Sequence, residues 1–152
     1  MFYITSSVEL SCKSEYALLA LLELAAHYQE GEPLQIRQIA TQQNIPDRYL
    51  EQLLANLRRA GLVRSQRGAR GGYLLAREPW KISLSAVVDC IEGLDSKPVE
   101  KSWNTETVEK TVVREAWQEV CQAANLVLQN YTLQDLCERR DAKRQLDIMY
   151  YI

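Results

Sequence analysis

The spacing of apolar residues along the chain predicts a mainly α-helical protein with one small β-hairpin. The first predicted helix is capped by Ser11 or Ser14 and runs to about residue 29. Between Tyr16 and Ala26 almost every residue is apolar, so this helix has hardly any polar face. A helix of this kind is buried on most sides, either in the core of the protomer or in a subunit interface.

Two shorter helices are predicted over residues 34–41 and 46–60, separated by a turn at Asn44-Ile45-Pro46. The second of these helices buries an apolar stripe that consists of Tyr49, Leu50, Leu53, Leu54 and Leu57. Its opposite face is mostly polar and consists of Asp47, Arg48, Glu51, Gln52, Ala55, Arg58 and Arg59. Two short helices with a polar second helix are typical of the helix-turn-helix, which places that helix in a DNA major groove.

A β-hairpin is predicted directly after the helix-turn-helix, with strands over residues 62–66 and 73–76. The turn between the strands reads Arg67-Gly68-Ala69-Arg70-Gly71-Gly72. Its glycines permit positive φ angles and a close approach of the backbone to phosphate. A hairpin in this position is the wing of a winged helix, and wing arginines commonly enter the adjacent minor groove.

The C-terminal part is predicted to be helical on both sides of a polar loop at residues 94–104. Ser83 caps a helix over residues 84–91, and Thr105 caps a long helix that ends at residue 130 and spans about 39 Å. The long helix carries a wide apolar stripe that consists of Val112, Val113, Ala116, Trp117, Val120, Ala123, Ala124, Val127 and Tyr131. Such a helix packs against a second subunit or folds back on its own domain.

The end of the chain is apolar and is expected to be packed, within the protomer or across a dimer. Thr132 and Asp135 resemble a capping box that opens a short last helix, and residues 146–152 are mostly apolar. We therefore divide the chain into a winged helix-turn-helix DNA-binding domain at residues 11–82 and a dimerisation and sensor region at residues 83–152. The first helix is expected to pack with both.

Charge is unevenly distributed along the chain and points to a polyanionic partner. Residues 52–77 contain six arginines and no Asp or Glu, so this segment carries +6. The whole chain has a net charge of −2, so the other residues together carry −8. A basic patch on an acidic protein is typical of a site that binds double-stranded DNA, although a solvated face has the same composition.

The outward residues near the start of the second helix are the candidates for reading bases. Arg48 can pair with guanine, Glu51 can accept from cytosine, and Gln52 can pair with adenine. The remaining candidates are Arg67 for the minor groove, Arg58, Arg59, Arg64 and Arg70 for phosphates, and Gly68, Gly71 and Gly72 for close approach of the backbone. For Glu51 the alternative is a surface charge that pairs with a nearby arginine.

Composition argues against several other functions. There is no run of eighteen apolar residues and no signal-peptide pattern, so we expect a cytoplasmic protein without a membrane span. Enzyme activity is not expected, because a catalytic triad would depend on the single His27 and no nucleotide-binding loop is present. The four cysteines lack zinc-finger spacing and are not expected to form disulfides.

These motifs resemble those of the Rrf-type winged-helix transcriptional regulators of bacteria, the family of IscR, NsrR and CymR. The resemblance is carried by Ser14-Glu15-Tyr16-Ala17, Ile45-Pro46-Asp47-Arg48-Tyr49-Leu50-Glu51-Gln52-Leu53, Leu57-Arg58-Arg59-Ala60-Gly61-Leu62-Val63, Arg67-Gly68-Ala69-Arg70-Gly71-Gly72-Tyr73-Leu74-Leu75-Ala76, Ala116-Trp117 and Thr132-Leu133-Gln134-Asp135-Leu136. It implies a homodimer that binds a palindromic operator, with the long helix forming the dimer contact. It also implies a base contact for Glu51 and a minor-groove contact for Arg67.

The resemblance raises the question of an iron–sulfur cluster, which many family members hold on three cysteines. The matching segment, residues 93–113, contains no cysteine, so we expect no such cluster and no other cofactor. Some family members build a cluster from both protomers, which leaves Cys12, Glu15 and Cys90 as an alternative metal-binding set. The opposing interpretation is that Cys90, Cys121 and Cys137 are small buried hydrophobes.

The sequence therefore predicts a DNA-binding regulator that acts as a homodimer. Two alternatives stay open at this point. One is a sensor that uses Cys12 and Cys90 through an iron–sulfur cluster or thiol oxidation. The other is a protein-interaction module with weak DNA binding. The sequence identifies no operator, no regulatory protein and no small-molecule effector.

Overall fold

The computed structural model describes residues 10–93 and 107–150. In chain order these residues form α1 (Cys12–Ala26), α2 (Ile36–Gln43), α3 (Asp47–Arg59), β1 (Val63–Gln66), β2 (Gly72–Leu75), α4 (Leu84–Glu92), α5 (Val108–Asn130) and α6 (Leu133–Tyr150). A 3-10 turn at Pro79–Lys81 connects the hairpin to α4. The mainly helical fold with one β-hairpin is confirmed, whereas the loop predicted at residues 94–104 lies outside the described residues.

Polar side chains cap α1, α4 and α6 where the sequence predicted them. Ser11 and Ser83 each accept a hydrogen bond at 3.1 Å from the backbone N–H of the residue three positions later. At the start of α6, the Thr132 N–H donates to Asp135 at 2.9 Å, and the Asp135 N–H donates to Thr132 at 3.2 Å. Each cap satisfies a helix N–H that has no partner within the helix, which is worth about 1 kcal/mol.

Several predicted boundaries are wrong. The start of α2 lies at Ile36, because the backbone of Leu34 is paired with the hairpin instead of beginning the helix. The start of α5 lies at Val108, where Thr107 accepts from the Lys110 N–H at 3.2 Å, and the predicted cap Thr105 lies outside the described residues. The last helix is not short, since α6 continues for 18 residues to Tyr150.

The inward stripe predicted for α3 is confirmed except at its first member. Leu50, Leu53, Leu54 and Leu57 are buried, whereas Tyr49 is 52% exposed. Pro46 precedes the helix as its N-cap residue and is not its first helical residue. The four leucines alone therefore set the orientation of α3 against α1, α2 and α4.

One hydrophobic core joins the helix-turn-helix to the C-terminal helices. Its buried members include Leu21 of α1, Leu54 of α3, Val87 and Ile91 of α4, and Leu133 of α6. These residues lie on both sides of the boundary that we predicted between residues 82 and 83. The division into two functional regions stays a prediction.

The wing is attached to the segment that precedes α2. The hairpin pairs Val63 with Leu75 and Gln66 with Gly72 in an antiparallel register. Beyond it, the Leu34 N–H donates to the Tyr73 carbonyl at 2.9 Å, and the Tyr73 N–H donates to the Leu34 carbonyl at 2.8 Å. This pair of hydrogen bonds holds the base of the wing beside the helix-turn-helix.

An apolar face of α5 has no partner among the described residues of the protomer. Val113, Trp117, Val120 and Val127 are at least 45% exposed, and with Ala124 they recur at alternating spacings of four and three residues. This spacing forms the seam of helix pairs that wrap around each other.

The apolar C-terminal end of α6 is not packed within the protomer, since Leu146, Ile148, Met149 and Tyr150 are exposed. None of the described helices is long and apolar enough to cross a bilayer.

The close approach at Gly72 yields a stability prediction. A Cβ at Gly72 would lie 2.4 Å from the Leu34 carbonyl oxygen, so Gly72→Ala must push the wing away from α2. We expect a loss of about 2 kcal/mol in the free energy of unfolding, measured by urea or thermal denaturation. Gly31→Ala is the control, because Gly31 also has a positive φ but no atom lies within 4 Å of its added Cβ. Equal losses for the two variants would show that the contact with Leu34 is unimportant.

Candidate nucleic-acid interface

A groove of about 770 Å³ runs between the start of α2, the start of α3 and the wing, and we name it the wing groove. Five of the predicted DNA-binding residues line it, namely Glu51, Arg67, Gly68, Gly71 and Gly72. These residues are up to 21 positions apart in the chain. The attachment of the wing to Leu34 brings them together, because it places the glycine-rich turn beside the N-terminal half of α3.

The other predicted residues lie outside the wing groove. Because the leucine stripe of α3 is buried and successive residues turn by about 100°, Arg48, Gln52 and Arg59 point away from the core. Gln52 also borders a second cavity of about 460 Å³ on the opposite side of α3. The structure therefore places Glu51 and Gln52 on two flanks of the outward face of α3.

Arg59 and three further arginines surround this face. Arg58 Nη1 lies 3.5 Å from Ser65 Oγ of β1, and Arg59 Nη1 lies 3.3 Å from Asn56 Oδ1 of its own helix. Arg64 of β1 and Arg70 of the wing turn are exposed. Their guanidinium groups extend the positive surface from the C-terminal end of α3 to the tip of the wing.

Glycine is required in the wing turn for two different reasons. A Cβ at Gly71 would lie 2.3 Å from the Gln66 carbonyl oxygen, so a side chain there would force the turn open. Gly68 has a φ of 114°, a conformation that other residues rarely adopt, and open space surrounds it. The backbone at Gly68 is thus exposed for close approach to a phosphate.

Seven residues that line the wing groove were not among the predicted DNA-binding residues, namely Gln35, Ile36, Arg37, Asp47, Ser65, Gln66 and Tyr73. Gln35 and Arg37 at the start of α2, and Asp47 at the start of α3, line it beside Glu51 and Arg67. Arg37 lies outside the basic segment of residues 52–77, and its position on the polar face of α2 is the signal that could have identified it. Two arginines and two carboxylates line the groove, whereas the excess positive charge lies on its outer rim.

The two cysteines proposed as metal ligands, Cys12 and Cys90, lie in different environments. Cys12 is exposed and borders the second cavity with Tyr49 and Gln52. The Cys90 thiol is half-buried and donates to the Asn56 carbonyl at 3.5 Å, and its burial raises its pKa. A raised pKa lowers the fraction of thiolate, which is the form that binds metal.

Within one protomer, the described residues form no site for an iron–sulfur cluster. Among residues 10–93 and 107–150, no group of three His, Cys, Asp or Glu side chains is close enough to hold a metal ion. Cys12, Glu15 and Cys90 therefore form no metal site within one protomer. Cys121 and Cys137 are buried, as predicted for small hydrophobes, and burial raises the pKa of Cys137.

Comparison with known proteins agrees with this geometry. A family model described as "Rrf2: Iron-dependent Transcriptional regulator" matches residues 10–139. The HTH-type transcriptional regulator CymR of Bacillus subtilis is 39% identical over 145 residues, which cover 95% of this chain and 100% of that protein. IscR of Serratia proteamaculans, also an HTH-type transcriptional regulator, is 33% identical over 135 residues, covering 88% of this chain and 82% of that protein.

Solved structures give the same result. The structure titled as CymR, the global cysteine regulator of B. subtilis, has a TM-score of 0.74 and 38% identity, covering 88% of this chain and 98% of that chain. The structure of T. potens IscR has a TM-score of 0.73 and 35% identity, covering 88% of this chain and 89% of that chain.

The environments of the cysteines predict their order of alkylation. We expect iodoacetamide to modify Cys12 first at neutral pH, because Cys12 is exposed. Burial raises the pKa of Cys90 and Cys137, so their modification should be slower and should still accelerate above about pH 8.5. Peptide mass spectrometry after timed quenching measures the rates, with urea-unfolded protein as the control. Equal rates for Cys12 and Cys90 in the folded protein would contradict the burial of Cys90.

Proposed function

The chain belongs to the Rrf2 family of transcriptional regulators, and from this premise we propose that it binds a palindromic operator as a homodimer in the cytoplasm. The observation that carries the proposal is the wing groove, where the N-terminal half of α3 and the arginine-bearing wing face the same side. A major groove admits a helix such as α3, while a wing at its side reaches the neighbouring minor groove.

We assign sequence recognition to the start of α3. Arg48 and Gln52 on the outward face, with Glu51 on the wing side, are assigned to base edges. Guanine offers two acceptors to an arginine, adenine offers an acceptor and a donor to a glutamine, and the cytosine amino group offers a donor to a carboxylate. Arg67 of the wing is assigned to the minor groove, where narrow A·T-rich segments attract a cation.

The remaining arginines are assigned to the phosphates. Arg58, Arg59, Arg64 and Arg70 lie on the rim and are exposed, so they can pair with the DNA backbone on either side of α3. Contacts of this kind fix the position of a protein on the duplex without reading its sequence. The backbone at Gly68, Gly71 and Gly72 can approach phosphate as well.

We assign dimerisation to α5, within a dimerisation and sensor region at residues 83–152. The exposed residues at alternating four- and three-residue spacing on α5 support a pairing with the same helix of a second protomer. The exposed apolar end of α6 adds surface that a partner can cover. A two-fold dimer would place its two α3 helices about one DNA turn apart, near 34 Å, or a small multiple of it.

A thiol-based signal is the second candidate, and it rests on Cys12. Its thiol is exposed and borders the same cavity as Gln52, so a group attached to it would reach the flank of α3. Operator binding measured before and after mild oxidation, with Cys12→Ser as the variant, tests this role. Oxidation that weakens DNA binding of both proteins alike would exclude Cys12.

Base reading and phosphate contact predict different behaviour of mutants. Glu51→Ala should relax specificity at one base pair in each half-site, because a carboxylate near DNA helps only where it meets a donor. Arg59→Ala should weaken binding to all sequences alike and reduce the salt slope by about one for each arginine–phosphate pair that the substitution removes. Fluorescence anisotropy with an operator series at several salt concentrations measures both effects.

Lys143→Ala on α6 is the control for the loss of one positive charge outside α3 and the wing. It should leave the ranking of operators unchanged. If Glu51→Ala tightens binding to every operator by the same factor, Glu51 is only a repulsive surface charge. The assignment of base reading to this residue would then be wrong.

The dimer is tested by placing a charge on the exposed seam of α5. Val120→Glu should raise the dissociation constant of the dimer by about thirtyfold or more, because a carboxylate would be buried against an apolar partner. Gln122→Glu adds the same charge on a different face of α5 and should leave the dimer intact. Sedimentation equilibrium over nanomolar to micromolar concentrations gives both constants. A wild-type protein that is monomeric at micromolar concentration would refute the assignment.

A further inference from the structure

A cavity of about 660 Å³ lies between the C-terminal end of α1, the helix α2 and the helix α6, and we name it the α2–α6 cavity. It is separate from the second cavity beside Cys12, and α2 lies between it and the wing groove. Its walls include Arg37 and Gln38 of α2, Arg140 and Arg144 of α6, Glu23 of α1, and Leu34. Of all the residues that line the cavity, Gln35 and Arg37 also line the wing groove, and Arg37 is the charged one.

The side chains of this cavity carry an excess of positive charge. Three guanidinium groups line it against the single carboxylate of Glu23, which already accepts from the Gln43 amide. Among the residues that the structure describes, Arg37 and Arg144 form no ion pair. Unpaired cations around a concave surface favour an anionic occupant.

Arg140 is held in place before any ligand arrives. Its Nε lies 3.2 Å from Asp141 Oδ1, its Nη1 lies 3.5 Å from the Leu22 carbonyl oxygen, and its side chain is only 24% exposed. A guanidinium fixed in this way loses little side-chain freedom when it pairs with a carboxylate or phosphate. Arg140 thus offers a partly preorganised donor at one end of the cavity.

We propose that the α2–α6 cavity binds a small organic dianion that bears carboxylate or phosphate groups. Two or three arginines at the wall match two anionic groups, since the guanidinium fork pairs with planar oxygen pairs. Gln38 and Gln42 supply neutral hydrogen-bonding groups, while Ala26 and Leu34 supply an apolar wall that suits a carbon skeleton. The volume lies in the ordinary range for small-molecule sites.

The position of the cavity couples its occupant to DNA binding, a step that rests on the proposed operator binding. Arg37 lines both the α2–α6 cavity and the wing groove, so an anion in the cavity competes with DNA for its guanidinium. Leu34 also lines the cavity, while its backbone is hydrogen-bonded to Tyr73 of the wing. The bound dianion therefore lowers the affinity of the protein for its operator.

The test uses succinate as the dicarboxylate probe and glycerol 3-phosphate as the phosphate probe, with sodium chloride at matched ionic strength as the reference. Thermal unfolding of the full chain measures binding, because a ligand of the folded state raises the midpoint in a saturable way. We expect at least one probe to raise the midpoint and to weaken operator binding by about fivefold or more. Arg144→Gln should abolish both effects and leave operator binding without probe unchanged, whereas Lys143→Gln on the same helix should retain them.

Several results would overturn the proposal. One is that neither probe differs from sodium chloride, and another is that Arg144→Gln binds the effective probe as tightly as the wild type, which would place the site elsewhere. A probe that binds without changing operator affinity would refute the coupling through Arg37. If Arg144→Gln weakens operator binding and lowers its salt slope without probe, these arginines contact DNA and the cavity is no ligand site. Failure of the proposed function is distinct, because the wild type would then bind no operator even without probe.

Discussion

The burial of four leucines on one side of α3 is the constraint on which the rest of the DNA-binding surface depends. Leu50, Leu53, Leu54 and Leu57 are each at most 4% exposed, and burying one leucine contributes about 1.5–3 kcal/mol. Turning α3 by a single residue would expose part of this stripe. The turn of about 100° per residue then determines that Arg48, Gln52 and Arg59 point outward, while Glu51 is directed to the wing side.

A second constraint acts on the wing, which is too short to hold itself in place. Two strands of four residues form a two-stranded sheet, and an isolated hairpin is marginally stable in water. The two hydrogen bonds between Leu34 and Tyr73 attach it to the segment before α2, and Gly72 allows that approach. The same attachment creates the wing groove and makes α2 a shared wall between this groove and the α2–α6 cavity.

Local patterns predicted α3, the wing and most helix caps, because spacing and short-range hydrogen bonds determine them. Tyr49 lies at the edge of the stripe, where periodicity cannot decide whether a side chain is covered. The sequence Thr105-Glu106-Thr107 offers two equivalent caps for α5. The exposed part of α6 contains residues with high helix propensity, such as Glu138, Arg139 and Lys143. It has no buried apolar stripe, so the sequence did not show how far the helix continues. The start of α2 depends on a long-range pairing with the wing, which no local pattern reveals.

The distribution of charge favours one face of the protein for the approach of DNA. The remainder of the chain has a net charge of −8 and repels a DNA duplex on average, whereas the +6 of residues 52–77 attracts the duplex to the face of α3 and the wing. Within the wing groove, the charges of Asp47 and Glu51 balance those of Arg37 and Arg67, so the groove itself adds little non-specific attraction for DNA. Its carboxylates favour a base that offers a hydrogen-bond donor. Because two arginines balance two carboxylates, the net charge of the groove depends on where the Arg37 guanidinium lies. An anion that holds Arg37 on the far side of α2 leaves two carboxylates against one arginine, and the groove becomes repulsive to DNA.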